Sequence, residues 1–314
     1  MLSRVADSLY WMGRYLERAE HTARLLDVTF NLMLDEAHSF ASRRWRRLLA
    51  SLQVTGEAAD LVDPYAITHL LTFDANQPAS IDYCIGSARH NALNVREQIS
   101  SEMWEQLNRL YLAVNRTRLE DIWDAQPHEF FRRTKEGVHL FQGITDSTLA
   151  RHEGWQFILV GRSVERVQAT ATLLNVHYPD IGHLETADFL EWVGLLKFCT
   201  AFEAYCKVYT ADLRPDRIVE FLVLDGEFPR SIRFAAHMVD KGVQTIAELT
   251  NTRKGNRALA VAGRLNATLS YTPAPEVIGN LHPFLTGIQR QCGEIHEAIY
   301  DRYINYPITS AMVF

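Results

Sequence analysis

The sequence predicts an all-α fold, a helical bundle built from two internally duplicated halves. Apolar residues recur at intervals of three and four over most of the chain, which places them on one face of a helix. Alternation of apolar and polar residues, the pattern of a half-buried strand, does not persist over a convincing length. A Gly-Arg-x-x-Glu-Arg pattern occurs at residues 13–18 and again at residues 161–166, which indicates a duplication.

The first long helix is predicted from residue 2 to about residue 36. Its apolar side follows an alternating spacing of four and three without interruption. Gly13 is the only glycine in this segment, and it weakens the helix by about 1 kcal/mol relative to alanine. A glycine at that position predicts the close approach of another backbone.

The opposite side of this helix is polar and aromatic at once. Exposed to water, Tyr10 and Trp11 would leave a large apolar surface uncovered, so two interpretations stay open. The side is either solvated and stabilised by charge pairs three or four residues apart, or it is covered by other helices. In the second case Glu17 would form a desolvated ion pair with Arg14 or Arg18.

The rest of the first half contains five further predicted helices. Asp63 is a suitable N-cap with Pro64 at the first helical position, and Pro127 is expected to break the pattern. A turn at residues 74–78 separates two of the helices. The predicted ranges are about 41–52, 64–73, 80–100, 101–123 and 130–148.

The second half is predicted to contain six helices. The first of them stops before Pro179, since the residue before a proline disfavours the helical conformation. Pro215 and Phe228 begin later helices, and Pro273 and Pro275 end another. The predicted ranges are about 153–176, 186–209, a short helix from 215, 228–250, 256–271 and 283–303, followed by an extended or loose tail from 306.

The composition is that of an ordinary globular protein. The 314 residues are 47% hydrophobic and 22% charged, and the net charge of −6 does not favour wholesale binding to nucleic acid. The basic cluster of Arg43, Arg44, Arg46 and Arg47 is interpreted as a solvated helix face. Neither a membrane span nor a signal-peptide pattern is expected, and the four scattered cysteines are typical of the cytoplasm.

Three blocks of the chain match in the same order at nearly the same offset. A shift of 148 superposes the two Gly-Arg-x-x-Glu-Arg segments, and neighbouring shifts superpose Trp45 on Trp192 and Pro78 on Pro229. Chance does not readily produce three ordered matches. We therefore predict a single domain over residues 1–314, with halves at about 1–147 and 148–314 and the two long helices at its centre.

Both copies retain arginine, glutamate and arginine while neighbouring positions differ. His21 corresponds to Ala169, and Arg24 corresponds to Thr172. Two alternatives explain the retention: an Arg–Glu network that locks the halves together, or a functional cleft between them. The candidate catalytic residues are Glu17 and Glu165, as general bases, and the candidate binding residues are Tyr10, Trp11, Arg14, Arg18, His21, Arg24, Arg162 and Arg166.

Motifs of the common catalytic and nucleotide-binding classes are missing from the sequence. It has no P-loop, no Gly-x-Gly-x-x-Gly loop, no His-Glu-x-x-His zinc pair and no Gly-x-Ser-x-Gly elbow. The spacing of Glu17, Glu20 and His21 invites a di-iron site, but Gln168 and Ala169 stand at the repeated positions and break it. We therefore expect neither a metal nor a cofactor.

The opening segment, Leu-Ser-Arg-Val-Ala-Asp-Ser-Leu-Tyr-Trp-Met-Gly-Arg-Tyr-Leu-Glu-Arg-Ala-Glu at residues 2–20, resembles the N-terminal signature of the bacterial alpha-E family. The resemblance spans essentially the whole chain. His21 and His90 depart from it, since asparagine and glutamate are expected there in many relatives. Later segments similar to blocks of that family lie at residues 78–81, 88–92, 99–108 and 221–232.

The resemblance implies a setting rather than a reaction. Members of this family occur beside, or fused to, circularly permuted ATP-grasp-like proteins, often with transglutaminase-like proteins, in an amide- or peptide-bond-forming system. It supplies no catalytic residues, so the charged side chains of the central helices remain the candidates. Three hypotheses follow: an accessory partner that holds or presents the substrate of an ATP-grasp-type ligase, an enzyme whose Arg/Glu cleft acts on carboxylate or phosphate groups, and a pure scaffold. A homo-oligomer is compatible with each.

Overall fold

The computed structural model describes residues 1–33, 41–123, 127–177, 189–210 and 212–305. Fifteen α-helices and no strand are found in these ranges, which confirms the all-α prediction. The helices are α1 (Ser3–Met33), α2 (Ala41–Ser51), α3 (Pro64–Phe73), α4 (Ile81–Asn94), α5 (Ser101–Arg116), α6 (Leu119–Trp123), α7 (Pro127–Thr148), α8 (Glu153–His177), α9 (Phe189–Phe198), α10 (Phe202–Tyr209), α11 (Pro215–Leu224), α12 (Ile232–Leu249), α13 (Arg257–Tyr271), α14 (Ala274–Gly279) and α15 (Leu281–Ile299).

The longer helices form two rings of four that share one seam. In the first ring α1 packs against α4 and α7, and α5 closes the ring by packing against both. In the second ring α8 packs against α12 and α15, and α13 closes it. The seam is the pair α1 and α8, which make the most extensive helix–helix contact of the described chain. Buried side chains of both rings merge into one hydrophobic core.

Side-chain caps fix where several helices begin. Asp63 accepts a hydrogen bond from a backbone N–H of the first turn of α3 at 2.9 Å, with Pro64 as the first helical residue, as predicted. Ser80 and Ser231 cap α4 and α12 in the same way. The loops before these two serines lie against the seam, because their carbonyl groups accept hydrogen bonds from α1 and α8.

Three predicted helices are too long. The predicted range 101–123 is divided between α5 and α6, and the range 186–209 contains both α9 and α10. The second division falls at Thr200, whose φ of 53° lies in the left-handed region that ends a helix. The range 80–100 is wrong at its far end, because α4 ends at Asn94 and a short 3₁₀ turn follows.

Prolines stand at the start of two helices. Pro127, which was expected to break the pattern, is the first residue of α7. The predicted end of α13 at Tyr271 is confirmed, but Pro273 also immediately precedes α14, which was not predicted. The first helical positions need no backbone N–H donor, so a proline costs nothing there. Residues 34–36, 186–188 and 306–314, which also carried predictions, lie outside the described ranges.

Both sides of α1 are buried, so its polar side is covered rather than solvated. Tyr10 is fully buried, Glu17 is 1% exposed and Arg24 is 5% exposed. Charged side chains are almost never enclosed to this degree unless they are paired. The covered alternative is therefore confirmed, and the partners of these charges become the main question about the seam.

The two central helices touch backbone to backbone. A Cβ atom at Gly13 would lie 2.4 Å from the carbonyl oxygen of Ile158, and one at Gly161 would lie 2.1 Å from that of Tyr10. Only glycine allows the helices to approach so closely. The close approach predicted from Gly13 is confirmed.

Matched contacts relate the two rings at the offsets found in the sequence. Arg18 donates to the carbonyl of Pro78 at 3.4 Å, and Arg166 donates to the carbonyl of Pro229 at 3.1 Å. The two capping serines each donate to the carbonyl of an aspartate six residues earlier, at 2.6 and 2.5 Å. We propose on these grounds that the halves are copies of one unit.

Replacing either central glycine by alanine is expected to lower the free energy of unfolding by about 2 kcal/mol or more, because the new methyl group would meet a rigid backbone. The variants are Gly13→Ala and Gly161→Ala, measured by urea denaturation with circular dichroism. Gly143→Ala on α7 is the matched control. Apart from the neighbouring residues and the backbone of its own helix, no described atom lies within 4 Å of its Cβ, and alanine should stabilise that helix by about 0.5 kcal/mol. Similar values for all three variants would contradict the backbone contact.

Candidate functional site

The chain contains two Glu-Arg dipeptides, Glu17-Arg18 on α1 and Glu165-Arg166 on α8, and each arginine binds the glutamate of the other helix. Arg18 donates through Nε and Nη2 to Glu165 at 2.7 and 3.2 Å. Arg166 donates through the same atoms to Glu17 at 2.7 and 2.8 Å. Bidentate contacts of this kind are among the stronger hydrogen-bonded pairs in proteins. We call this arrangement the Glu-Arg cross.

A second arginine joins each carboxylate of the Glu-Arg cross. Arg14 donates to Glu165 at 2.7 Å, and Arg230, from the loop before α12, donates to Glu17 at 3.2 Å. The predicted pairing of Glu17 with Arg14 or Arg18 is therefore wrong. The ion pairs join two helices rather than successive turns of one helix, because the glycine contact brings the facing carboxylate within reach.

Both carboxylates of the Glu-Arg cross remain ionised. Burial alone would raise the pKa of Glu165, but the two arginines bound to it outweigh burial and lower the pKa to about 2. The same balance lowers the pKa of Glu17 from 4.5 to about 2. A carboxylate with this pKa, and with both oxygens occupied, is a weak base near neutral pH. The geometry therefore does not favour either glutamate as a general base.

One face of the Glu-Arg cross is filled by further side chains. Arg230 extends from Glu17 to Glu20, where its Nη2 lies 2.9 Å from the carboxylate. Arg24 binds Glu20 at 2.5 Å, and His139 on α7 lies 3.4 Å from the same group. The predicted binding residue Arg24 thus belongs to a closed network with little room for a ligand.

The other face of the Glu-Arg cross is open and forms a cleft of about 310 Å³. Its walls come from α1, α8, the segment after α2 and the loop before α4. Three of the sequence-predicted residues meet here. The lining includes Arg18, His21, Ser51, Gln53, Gln77, Ala79, Glu165, Gln168 and Thr172.

His21 is a neutral and incompletely paired member of this cleft. Its side chain is 6% exposed, and burial together with the nearby Arg24 lowers its pKa to about 3. The Nδ1 atom lies 3.0 Å from Nη2 of Arg24. The Nε2 atom is buried and has no hydrogen-bond partner among the described residues. Buried polar atoms of this kind normally have a partner, so the atom calls for an explanation.

Three other predicted binding residues lie away from the cleft. Tyr10 contacts His296 on α15 at 3.1 Å, and Trp11 donates a hydrogen bond to the hydroxyl of Tyr300. Arg162 has no hydrogen-bond partner for Nε within the described ranges, and burial followed by a neighbouring arginine lowers its pKa. The first two side chains attach α1 to α15 and to the turn that follows it, which is a packing role.

The basic cluster on α2 is only in part a solvated face. Arg44 is buried, and Arg44 and Arg47 each lie 2.7 Å from the carboxylate of Glu191 on α9. Arg43 and Arg46 are exposed, as predicted. Helical periodicity could not reveal the first two contacts, because the partner helix lies far along the chain.

The sequence interpretation missed Arg230, Gln168 and Ala79 as parts of the site. These three residues could have been found by comparing the matched segments of the sequence. The offset that superposes the two Pro-x-Ser-Ile segments pairs Ala79 with Arg230, and the offset of the central helices pairs Gln168 with Glu20. Differences between the two matched segments, rather than the retained residues, mark where the two faces of the Glu-Arg cross differ.

Nucleophilic and metal chemistry find little support in the described ranges. Burial raises the pKa of Cys84 to about 12 and that of Cys199 to about 11, so these thiols stay protonated near neutral pH. No three His, Cys, Asp or Glu side chains of the described residues are close enough to hold a metal ion.

Among the described helices, none combines the length and the apolar character needed to cross a membrane.

Fold and site together define a class of helical domain whose two central helices exchange Glu-Arg ion pairs. The Alpha-E family, described as "a predicted alpha-helical domain with a conserved ER motif", matches residues 1–304, and this chain belongs to it. Three uncharacterized proteins, one from Mycobacterium bovis and two from strains of Mycobacterium tuberculosis, are 26% identical to it over 250 residues. These matches cover 73% of this chain but only 28% of each relative. No solved structure matches the chain.

Acid is expected to weaken the Glu-Arg cross. A pKa lowered from 4.5 to about 2 means that the stabilisation is fully present above pH 4.5 and is lost as the pH falls toward 2. Each carboxylate contributes on the order of 3 kcal/mol over that window. The measurement is the free energy of unfolding in urea at a series of pH values from about 7 down to about 3.

Glu165→Gln should flatten this pH dependence and should also lower stability at neutral pH by about 3 kcal/mol, since two buried arginines lose their counter-ion. The control is Glu105→Gln, at an exposed position of α5 where no ion pair is found among the described residues. If the two variants share one pH profile, the carboxylates of the cross do not carry the stability assigned to them.

Proposed function

We propose that this Alpha-E chain is a non-catalytic accessory component of an ATP-grasp-type amide or peptide ligase system, in which it holds or presents the substrate. The observation that carries the proposal is the state of its two candidate bases. Both are ionised, with pKa values of about 2, and both are bound by two arginines. A cleft lies directly beside one of them. The arrangement suits binding better than proton transfer.

The length of the relatives supports a domain that acts together with other domains. The chain spans 28% of the length of the curated relatives it matches, so each of them carries most of its length outside the matched segment. A domain that acts together with other domains is expected to occur in such longer chains. The family resemblance supplies the proposed partners, a circularly permuted ATP-grasp-like ligase and a transglutaminase-like protein. The proposed compartment is the cytoplasm, where ATP is available to a ligase.

Two rival functions make different demands on the same residues. A stand-alone enzyme acting on carboxylate or phosphate groups would need Glu17 or Glu165 as a base, which the paired and ionised state of both disfavours. A pure scaffold would need the Glu-Arg cross but not the cleft. The cleft and the unpaired Nε2 of His21 therefore favour a binding role over a scaffold.

The test is reconstitution with the circularly permuted ATP-grasp-like ligase that the family resemblance implies as a partner. The purified ligase is assayed for ATP-dependent amide formation with and without the chain, and the two are examined for co-elution in size-exclusion chromatography. We expect a stable complex and an increase in ligation of at least about tenfold, which corresponds to roughly 1.4 kcal/mol of the barrier. A ligase that is fully active alone and does not co-elute would contradict the proposal.

A variant separates the enzyme from the accessory component. Glu17→Gln is expected to lower the melting temperature while the stimulation of the ligase per folded molecule is retained, because Glu17 lies on the closed face. Loss of a reaction performed by the chain alone, with folding preserved, would instead identify Glu17 as a catalytic residue. The control variant is again Glu105→Gln.

A further inference from the structure

We propose that the open cleft binds a carboxylate group, held by the Nε2–H of His21 and the outer amino group of Arg18. The inference rests on the proposed function, since it names the substrate class that the cleft would hold. It goes beyond the retained Glu-Arg residues, because besides Arg18 it depends on His21 and on the space beside Ala79, which the two halves do not share. Three observations carry it: an unpaired donor, an excess of positive charge and vacant room.

The tautomer of His21 follows from its neighbour. A guanidinium group can only donate hydrogen bonds, so Nδ1 of His21, 3.0 Å from Nη2 of Arg24, must be the acceptor. The proton of the neutral imidazole then lies on Nε2. That N–H group is a donor without an acceptor among the described residues, on a side chain that lines the cleft. In the proposal, a ligand in the cleft supplies the acceptor that this buried N–H group lacks.

Two further polar groups on residues that line the cleft also lack good hydrogen-bond partners. Nη1 of Arg18 makes only a 3.4 Å contact with the carbonyl of Pro78, and the Arg18 side chain is 23% exposed. The buried hydroxyl of Ser51 lines the cleft and lacks a hydrogen-bond partner in the described part of the chain. Arg18, His21 and Ser51 all line the cleft, and two N–H donors with a hydroxyl suit the oxygens of a carboxylate.

Charge selects an anion over a neutral carbonyl. The guanidinium groups of Arg14 and Arg18 share the single carboxylate of Glu165, which leaves one positive charge in excess around that carboxylate, and of the two arginines it is Arg18 that lines the cleft. His21 adds no charge, because its low pKa keeps it neutral. One carboxylate would balance the local charge, whereas a doubly charged phosphate would exceed it.

Room for the ligand arises where the copies differ. On the closed face Arg230 lies against Glu17 and Glu20, and its counterpart on the open face is Ala79. Gln168 and Thr172 likewise replace a glutamate and an arginine of the closed face. Smaller and uncharged side chains at matched positions leave the space that the cleft occupies. The amide and hydroxyl groups that remain are suited to the polar body of a peptide.

The probe is N-acetyl-alanyl-alanine, compared at neutral pH with its C-terminal amide and with inorganic phosphate. Isothermal titration calorimetry on the full chain should show saturable binding of the free acid, at least about tenfold tighter than of either comparison compound, since a hydrogen bond to a charged group is worth tenfold or more in affinity. The ¹⁵N and ¹H resonances of His21 Nε2–H should shift with the acid and not with the amide.

Variants locate the site. Ala79→Met fills the cleft without adding charge and should weaken binding of the acid at least about tenfold. Its matched control is Ala113→Met, at an exposed position of α5, which should bind as the unaltered chain does. His21→Leu removes the donor and should weaken binding by a similar factor, while His21→Gln, which keeps an N–H group at that reach, should restore most of it.

Several results would overturn the inference. Equal binding of the amide would make the ligand a neutral acceptor, and tighter binding of phosphate would assign a different anion. Undiminished binding by folded Ala79→Met, or no binding of any probe, would remove the site from this cleft. None of these results touches the complex with the ligase, so the accessory function is judged separately by reconstitution. If the chain binds the carboxylate but forms no complex with the ligase, the accessory function is contradicted and the binding site is not.

Discussion

Ion pairs buried across a backbone contact constrain the whole fold. Two carboxylates at the centre each face two guanidinium groups, and leaving any of these charges unpaired in the interior costs several kcal/mol. A slip of one residue would turn every side chain of α1 by about 100° and separate the pairs. The central helices therefore have one permitted register. The loops before α4 and α12 follow it, because they bind the same arginines through carbonyl groups.

Close approach and charge pairing depend on one another. Without glycine at the contact, the helices would stand farther apart and the bidentate geometry of Arg18 with Glu165 would be lost. Without the ion pairs, a polar helix side would face another helix at a distance that excludes water, with a large desolvation cost. Each Gly-Arg-x-x-Glu-Arg segment thus contains the glycine that allows the close helix contact and the charged residues that pair across it.

Periodicity was sufficient to predict most of the long helices and the burial of the apolar side of α1, because those follow from local spacing. The repeat also placed Arg18, Glu165 and their counterparts at the seam. Local spacing could not choose between partners: Glu17 has arginines at helical distance, yet it binds Arg166 and Arg230 from elsewhere in the chain. Breaks such as the one at Thr200 were missed for a similar reason, since a left-handed residue in a helical pattern is set by tertiary packing.

If the two halves are copies, as proposed, the residues that both retain and the residues that differ between them have different roles. The retained arginines and glutamates complete one another across the seam, so their presence is explained by register and burial without any ligand. The closed face shows what matched positions look like when protein side chains occupy them, with Arg230 against two carboxylates. The open face has Ala79 at that position and an unpaired donor beside it. On the proposed duplication, the proposed ligand site therefore lies where the matched positions differ, and the Glu-Arg motif by itself accounts for the packing of the two central helices.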